Sequence, residues 1–131
     1  MAEPALTIID GALSRLADRL RSAPESRLTR ADDRLAGASI ADASHELARW
    51  CATAAQLAIS ASHGAHPVVP TVPRLQPLAS GDQLLVLGRE LLAALAEAAM
   101  RPDGAAMRPD GGVDTLEAEF LEWIEQLRAV C

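Results

Sequence analysis

Apolar residues recur at spacings of three and four along four long segments of the chain, which is the pattern of amphipathic helices. The first of these segments runs from about Ala5 to Arg21. Its large apolar residues form one narrow seam: Leu6, Ile9, Leu13, Leu16 and Leu20. A seam of this kind is typical of helices that pair along their length. It predicts a first helix with a single strongly apolar face.

The second long segment begins with a helix start signal. Ser39 and Asp42 match a capping box, in which each residue binds the backbone of the other, and the helix is expected to reach about His63. Its apolar stripe consists of Ile40, Ala43, Leu47, Trp50, Ala54, Leu57 and Ala61. The many small residues in this stripe favour close approach of a neighbouring helix.

The third long segment, from about Gly81 to Met100, is the most apolar. Ser80 and Gln83 match another capping box at its start. The main stripe consists of Leu84, Leu87, Leu91 and Leu95. We therefore expect this helix to be the central one of the fold.

The last helix is predicted from Asp114 or Thr115 to the end of the sequence. Its stripe consists of Val113, Leu116, Phe120, Trp123, Leu127 and Val130. Its acidic residues are expected to form a solvated outer face: Glu117, Glu119, Glu122 and Glu125. Leu121 and Ile124 make its apolar arc wider than one neighbouring helix requires.

The connections carry their own signals. Ser22 and Glu25 match a capping box around Pro24, which predicts a shorter helix that ends near Gly37.

From residue 64 to 79, four prolines exclude a regular helix, and an apolar edge favours an extended segment laid along the bundle. Such a segment is long enough to make the helices before and after it parallel neighbours. Residues 98–104 and 105–111 repeat the same seven residues, which indicates an exposed duplicated loop.

These elements predict one all-α domain over residues 1–131, a bundle of four to five helices with an extended proline-rich crossover segment. The composition agrees, because Ala and Leu dominate and aromatic residues make up only 2% of the chain. Every basic side chain is Arg, and Lys and Asn are absent, which is typical of a bacterial genome rich in G and C. The two thiols, Cys51 and Cys131, are expected to be free.

Charge and hydropathy narrow the classes of partner. The net charge is −6, and a field of that sign repels phosphate backbones, so nucleic-acid binding is not expected. No apolar run is long enough to span a membrane, and the N-terminus has no signal-peptide pattern. The sequence therefore favours a cytoplasmic protein without membrane contact.

The sharpest chemical signal is the run Ser44-His45-Glu46-Leu47. It resembles the sequence around the phosphoacceptor of sensor histidine kinases and, more loosely, that of histidine phosphotransfer domains. The resemblance covers four residues and ends at Leu47, after which the pattern departs from both families. It implies phosphotransfer through His45, which the stripe of its helix places on the face away from the core.

No other run suggests catalysis, because no Ser or Cys has a base nearby in sequence and no phosphate-binding glycine loop is present. An enzyme is therefore the less favoured class, and we predict no catalytic residue, cofactor or metal site. His63 and His66 have a spacing that a metal could use, but Gly64 and Pro67 disturb the helical geometry.

Our leading hypothesis is a non-enzymatic bundle that acts through protein–protein contact, as a regulator, adaptor or oligomer subunit. The narrow seam and the wide last arc favour a homodimer. The predicted interface consists of Leu6, Ile9, Leu13, Leu16, Leu20, Phe120, Leu121, Trp123 and Ile124. Phosphotransfer through His45 is one alternative to this hypothesis. The other is a bundle that binds a small apolar ligand, with a pocket at Trp50, Gly88 and Leu91.

Overall fold

The computed structural model describes residues 2–63, 70–100 and 112–131, and it confirms the all-α prediction for them. Five helices form: α1 (Ala2–Ser22), α2 (Glu25–Thr29), α3 (Ile40–His63), α4 (Ser80–Met100) and α5 (Gly112–Val130). The described residues contain no β-strand, only an isolated bridge between Ala31 and Ser39. None of the described helices combines the length and the hydropathy that crossing a membrane requires.

The four long helices pack in the cyclic order α1, α4, α3, α5, so that each has two main neighbours. α1 and α4 are antiparallel, because Arg21 at the end of α1 donates to Asp82 at the start of α4. Farther along the same pair, Arg89 of α4 donates to Asp10 of α1. These contacts place the two helices side by side over several turns.

α3 and α4 begin at the same end of the bundle. Residues 72–74 touch the first turns of both helices, through Asp42 and His45 of α3 and Gln83 of α4. The helices on either side of the proline segment therefore run in the same direction. The extended path proposed for residues 64–79 falls partly on 64–69, outside the described residues, and so does most of the repeated loop, at 101–111.

α2 lies across the end of the bundle where α3 and α4 begin. Its Leu28 is fully buried, and Arg27 donates to the last carbonyl oxygens of the chain, those of Val130 and Cys131. α5 therefore ends where α3 begins, and the two are antiparallel. This short helix closes one end of the core.

The shorter helix predicted between the Ser22–Glu25 capping box and Gly37 forms only at Glu25–Thr29, so its predicted extent is wrong. Ser22 is the last residue of α1, and α2 ends at Thr29. The Asp32 side chain accepts a hydrogen bond from the backbone N–H of Arg34, which favours a short 3₁₀ turn over a continuing helix. The capping box at Ser39 is confirmed. The backbone nitrogen of Ser39 donates to Asp42 Oδ2 at 3.1 Å, and the backbone nitrogen of Asp42 donates to Ser39 Oγ at 3.0 Å.

The core stripe of α5 differs by a small rotation from the predicted one. Phe120 and Ile124 are fully buried, whereas Trp123 exposes 36% of its surface. The same rotation turns Glu117, expected on the acidic outer face, into the interior. In α3, Leu57 is exposed, and the small residues Ala48, Cys51 and Ala58 are buried instead.

Candidate binding groove between α3 and α4

A groove of about 810 Å³ runs between α3 and α4, and we call it the α3–α4 groove. Its volume lies within the range of about 300–1,000 Å³ that is usual for ligand sites. The described residues that line it come from three parts of the chain: Ala52, Ala55, Gln56 and Ile59 of α3, Asp82, Gln83, Val86, Leu87, Glu90, Ala93, Ala94 and Glu97 of α4, and Pro70, Thr71, Val72, Pro73 and Leu75 of the proline segment.

Small side chains produce this groove. Ala52, Ala55 and Ala94 are buried in its floor, where larger residues would fill the space between the two helices. Alanine is the best helix former, so the same residues that leave the space also keep both helices regular. The groove therefore follows directly from the alanine-rich sequence of α3 and α4.

Large apolar side chains stand exposed on the walls of the groove. Val86 of α4 exposes 59% of its surface and Ile59 of α3 exposes 40%. On α4 the wall positions Val86, Glu90, Ala93 and Glu97 repeat at spacings of three and four, on the opposite side from the buried leucines. Sequence reasoning missed this second stripe because the leucines dominate the periodicity of α4.

The groove is acidic along its α4 wall. Asp82, Glu90 and Glu97 line it, and no basic side chain is present in its described lining. Asp82 accepts from Arg21 at 2.6 Å, so part of its charge is neutralised.

The proline segment closes one end of the groove through three polar contacts. Gln83 Nε2 donates to the carbonyl oxygen of Pro73 at 2.7 Å, so Gln83 holds this segment instead of completing the capping box predicted with Ser80. Arg74 forms an ion pair with Asp42, and this guanidinium holds the pKa of the Asp42 carboxyl below its usual value. The third contact joins His45 to Val72.

His45, predicted on the face of α3 away from the core, lies under the proline segment and is half-buried. Its Nε2 atom lies 3.2 Å from the carbonyl oxygen of Val72. A carbonyl can only accept, so Nε2 carries a proton and donates it. Nε2 is therefore engaged with the proline segment.

The apolar pocket predicted at Trp50, Gly88 and Leu91 is filled by protein. Leu91 is fully buried, and a methyl group added at Gly88 would lie 2.5 Å from Leu13 Cδ2. Trp50 packs on Phe120, with ring centroids 5.7 Å apart, and stacks on Trp123 at 6.2 Å. Gly88 thus serves the close packing of α1, α4 and α5, and the open space lies on the far side of α4.

The predicted dimer interface lies mainly inside the single chain. Of the seam, Leu6 is half-buried and the rest are buried against α4 and α5: Ile9, Leu13, Leu16 and Leu20. Phe120 and Ile124 are buried, Leu121 is half-buried, and only Trp123 is partly exposed. The seam therefore packs α1 within its own chain, and Trp123 is the most exposed of the predicted interface residues.

Three buried polar groups take no part in the groove. Cys51 is fully buried, and burial raises the pKa of its thiol well above the usual value. Burial, with the nearby Asp114 carboxylate, also raises the pKa of Glu117, whose Oε2 atom has no hydrogen-bond partner. Ser44 Oγ is likewise buried without a partner. The described residues contain no cluster of side chains that could hold a metal ion.

Comparisons with protein-family models, curated proteins and solved structures gave no match to this chain.

Proposed function

We propose that this chain is a non-enzymatic binding protein, cytoplasmic in location, that holds an apolar segment of a protein partner in the α3–α4 groove. The observation that carries the proposal is the pair of exposed apolar walls, Ile59 and Val86, above a floor of buried alanines. Exposed apolar surface that is contiguous and rimmed by polar groups is typical of interaction sites.

Phosphotransfer through His45 is the weaker proposal. A phosphoacceptor nitrogen must meet a phosphodonor in an open position, whereas Nε2 of His45 donates to Val72 beneath the proline segment. A small apolar ligand at Gly88 is also weaker, because Leu13 and Phe120 occupy the space beside this glycine.

Site-specific photocrosslinking tests the proposal. A photoreactive amino acid replaces Val86 in the groove, and in a matched protein it replaces Ile8, which exposes 61% of its surface on α1. The proposal expects a discrete protein adduct from position 86 in the cells that naturally make the chain, and none from position 8. The adduct should disappear when Ala94→Trp fills the groove floor. Equal adducts from both positions would show that the groove has no special affinity.

A further inference from the structure

The described part of the proline segment, residues 70–76, is attached to the bundle by side chains, and we call it the latch. Within the described part of the chain, the backbone of residues 70–75 makes no hydrogen bond to another backbone group. Each of the three polar contacts of the latch involves a side chain of α3 or α4. Asp42 accepts from Arg74 through Oδ1 and from the backbone of Ser39 through Oδ2, so loss of the Arg74 contact leaves the cap of α3 in place.

The latch covers part of the apolar surface of the α3–α4 groove. Val72 packs against the core and Pro70 is half-buried, whereas Thr71 and residues 73–76 are exposed. Leu87 of α4 lines the same groove and is half-buried. The apolar residues of the latch therefore lie on the surface that the proposed partner segment uses.

The end of the latch next to α4 is firmly fixed. A 3₁₀ turn at Pro77–Ala79 follows it, and both Ser80 and Gly81 are buried. A methyl group added at Gly81 would lie 2.8 Å from the carbonyl oxygen of Ala17, so the start of α4 is packed tightly on α1. Release of the latch therefore moves residues 70–76 and leaves the start of α4 in place.

We infer that the latch is autoinhibitory: it closes one end of the groove in the free chain and releases before a partner segment occupies that end. This inference rests on the proposed function and specifies how that site is regulated. A partner that needs the released form has an apparent affinity reduced by the fraction of chains in that form. Loss of one side-chain hydrogen bond should raise the released fraction about twofold to tenfold, and loss of an exposed ion pair should act near the lower end of that range.

Two variants of the full chain loosen the latch. Arg74→Ala removes the ion pair with Asp42, and the double variant with Gln83→Ala also removes the bond to Pro73. Thermolysin cleavage before Leu75 measures release, because proteolysis of a transiently opened segment follows the population of the open form. We expect faster cleavage in Arg74→Ala and a further rise of about twofold to tenfold in the double variant. Circular dichroism establishes that each variant is folded, and Arg74→Ala, a change at an exposed residue, suffices if the double variant is not.

Photocrosslinking from Val86 measures binding of the partner in the same variants. Val86 lies about one turn beyond Gln83 on the α4 wall, next to the latch. The yield of the protein adduct should rise with the cleavage rate, from the natural chain to the single and the double variant. Arg49→Ala combined with Gln126→Ala is the matched control, because it removes the same two side-chain types from exposed contacts within α3 and within α5. The control should change neither cleavage nor yield.

The outcomes separate the inference from the proposed function. Faster cleavage with an unchanged or smaller adduct yield would overturn autoinhibition and keep the groove as a binding site. Faster cleavage with no adduct in any protein would overturn the proposed function and the inference with it. Cleavage as slow in the latch variants as in the natural chain would show that these contacts do not hold the latch closed, and would also overturn the inference.

Discussion

The imidazole of His45 holds the carbonyl of Val72 at 3.2 Å, and so ties the first half of α3 to the proline segment that closes the groove. Thr71 and residues 73–76 are exposed, and Val72 is the residue of this stretch that packs against the core. Polar contacts must therefore supply much of the restraint on this segment, and a hydrogen bond of this kind contributes about 1 kcal/mol.

Replacing His45 should loosen the proline segment. In His45→Ala we expect faster trypsin cleavage after Arg74, because the segment loses one of its three polar contacts. Glu46→Ala is the matched control, since Glu46 is the next residue of α3 and pairs with Arg49 on its own helix. Equal cleavage in both variants would show that His45 does not restrain the segment.

The same contact predicts the result of phosphorylation experiments. Phosphodonors should fail to label His45 in the folded chain, because its side chain is half-buried beneath the proline segment and its Nε2 atom is engaged by Val72. An acid-labile label that disappears in His45→Gln would reverse this expectation and restore the phosphotransfer hypothesis. Labelling is measured on folded protein before and after base and acid treatment.

Gly88 and Gly11 form a natural pair for testing the packing of α4. Gly88→Ala should lower the free energy of unfolding by about 1 kcal/mol, because overpacking costs about 1–3 kcal/mol and the gain in helix propensity is only about 1 kcal/mol. At Gly11 the added methyl meets only the Arg15 guanidinium at 3.4 Å. Gly11→Ala should therefore stabilise the protein. Chemical denaturation of both variants measures the difference, and an equally stable Gly88→Ala would reveal the apolar pocket predicted from the sequence.

The leucine seam should behave as core rather than interface. Leu13→Ala should lower the free energy of unfolding by about 2–5 kcal/mol, the usual cost of a cavity at a fully buried leucine. Ile8→Ala, an exposed site on the same helix, should change it by less than about 0.5 kcal/mol. Neither transition should depend on protein concentration. A concentration-dependent loss in Leu13→Ala would show that the seam joins two chains.

The sequence predicted the long helices well because their apolar spacing and the Ser39–Asp42 capping box are local signals. It could not decide which side of α5 faces inward. Trp123 and Ile124 follow Phe120 by three and four residues, so both fit a helical stripe, and the choice depends on how α5 meets α1 and α3. The groove escaped prediction for a related reason. In the sequence, the alanines predict a surface against which another helix packs closely. Only the arrangement of α3, α4 and the proline segment shows that no residue in the described part of the chain fills the space above them.

Because the stripe of α5 is rotated relative to the predicted one, Glu117 is buried. The pH dependence of stability at Glu117 therefore tests the orientation of α5. Burial raises the pKa of its carboxyl above the ordinary 4.5, so the folded state disfavours the charged form. The resulting stabilisation is present below 4.5 and is lost as the pH rises through the folded-state pKa. Above that pKa the folded protein carries a buried carboxylate oxygen without a hydrogen-bond partner.

Glu117→Gln should stabilise the protein at neutral pH, by up to about 1 kcal/mol, because it removes the charge and keeps the shape of the side chain. The advantage over the natural chain should shrink as the pH falls and vanish below about 4.5, where Glu117 is protonated in both states. Glu119→Gln removes the same charge from an exposed position of α5 and should show a difference within about 0.5 kcal/mol at every pH. Urea denaturation of the three proteins from pH 4 to 8 measures both profiles. A destabilised Glu117→Gln at neutral pH would mean that the carboxylate has a stabilising partner, and that α5 is rotated toward the arrangement predicted from the sequence.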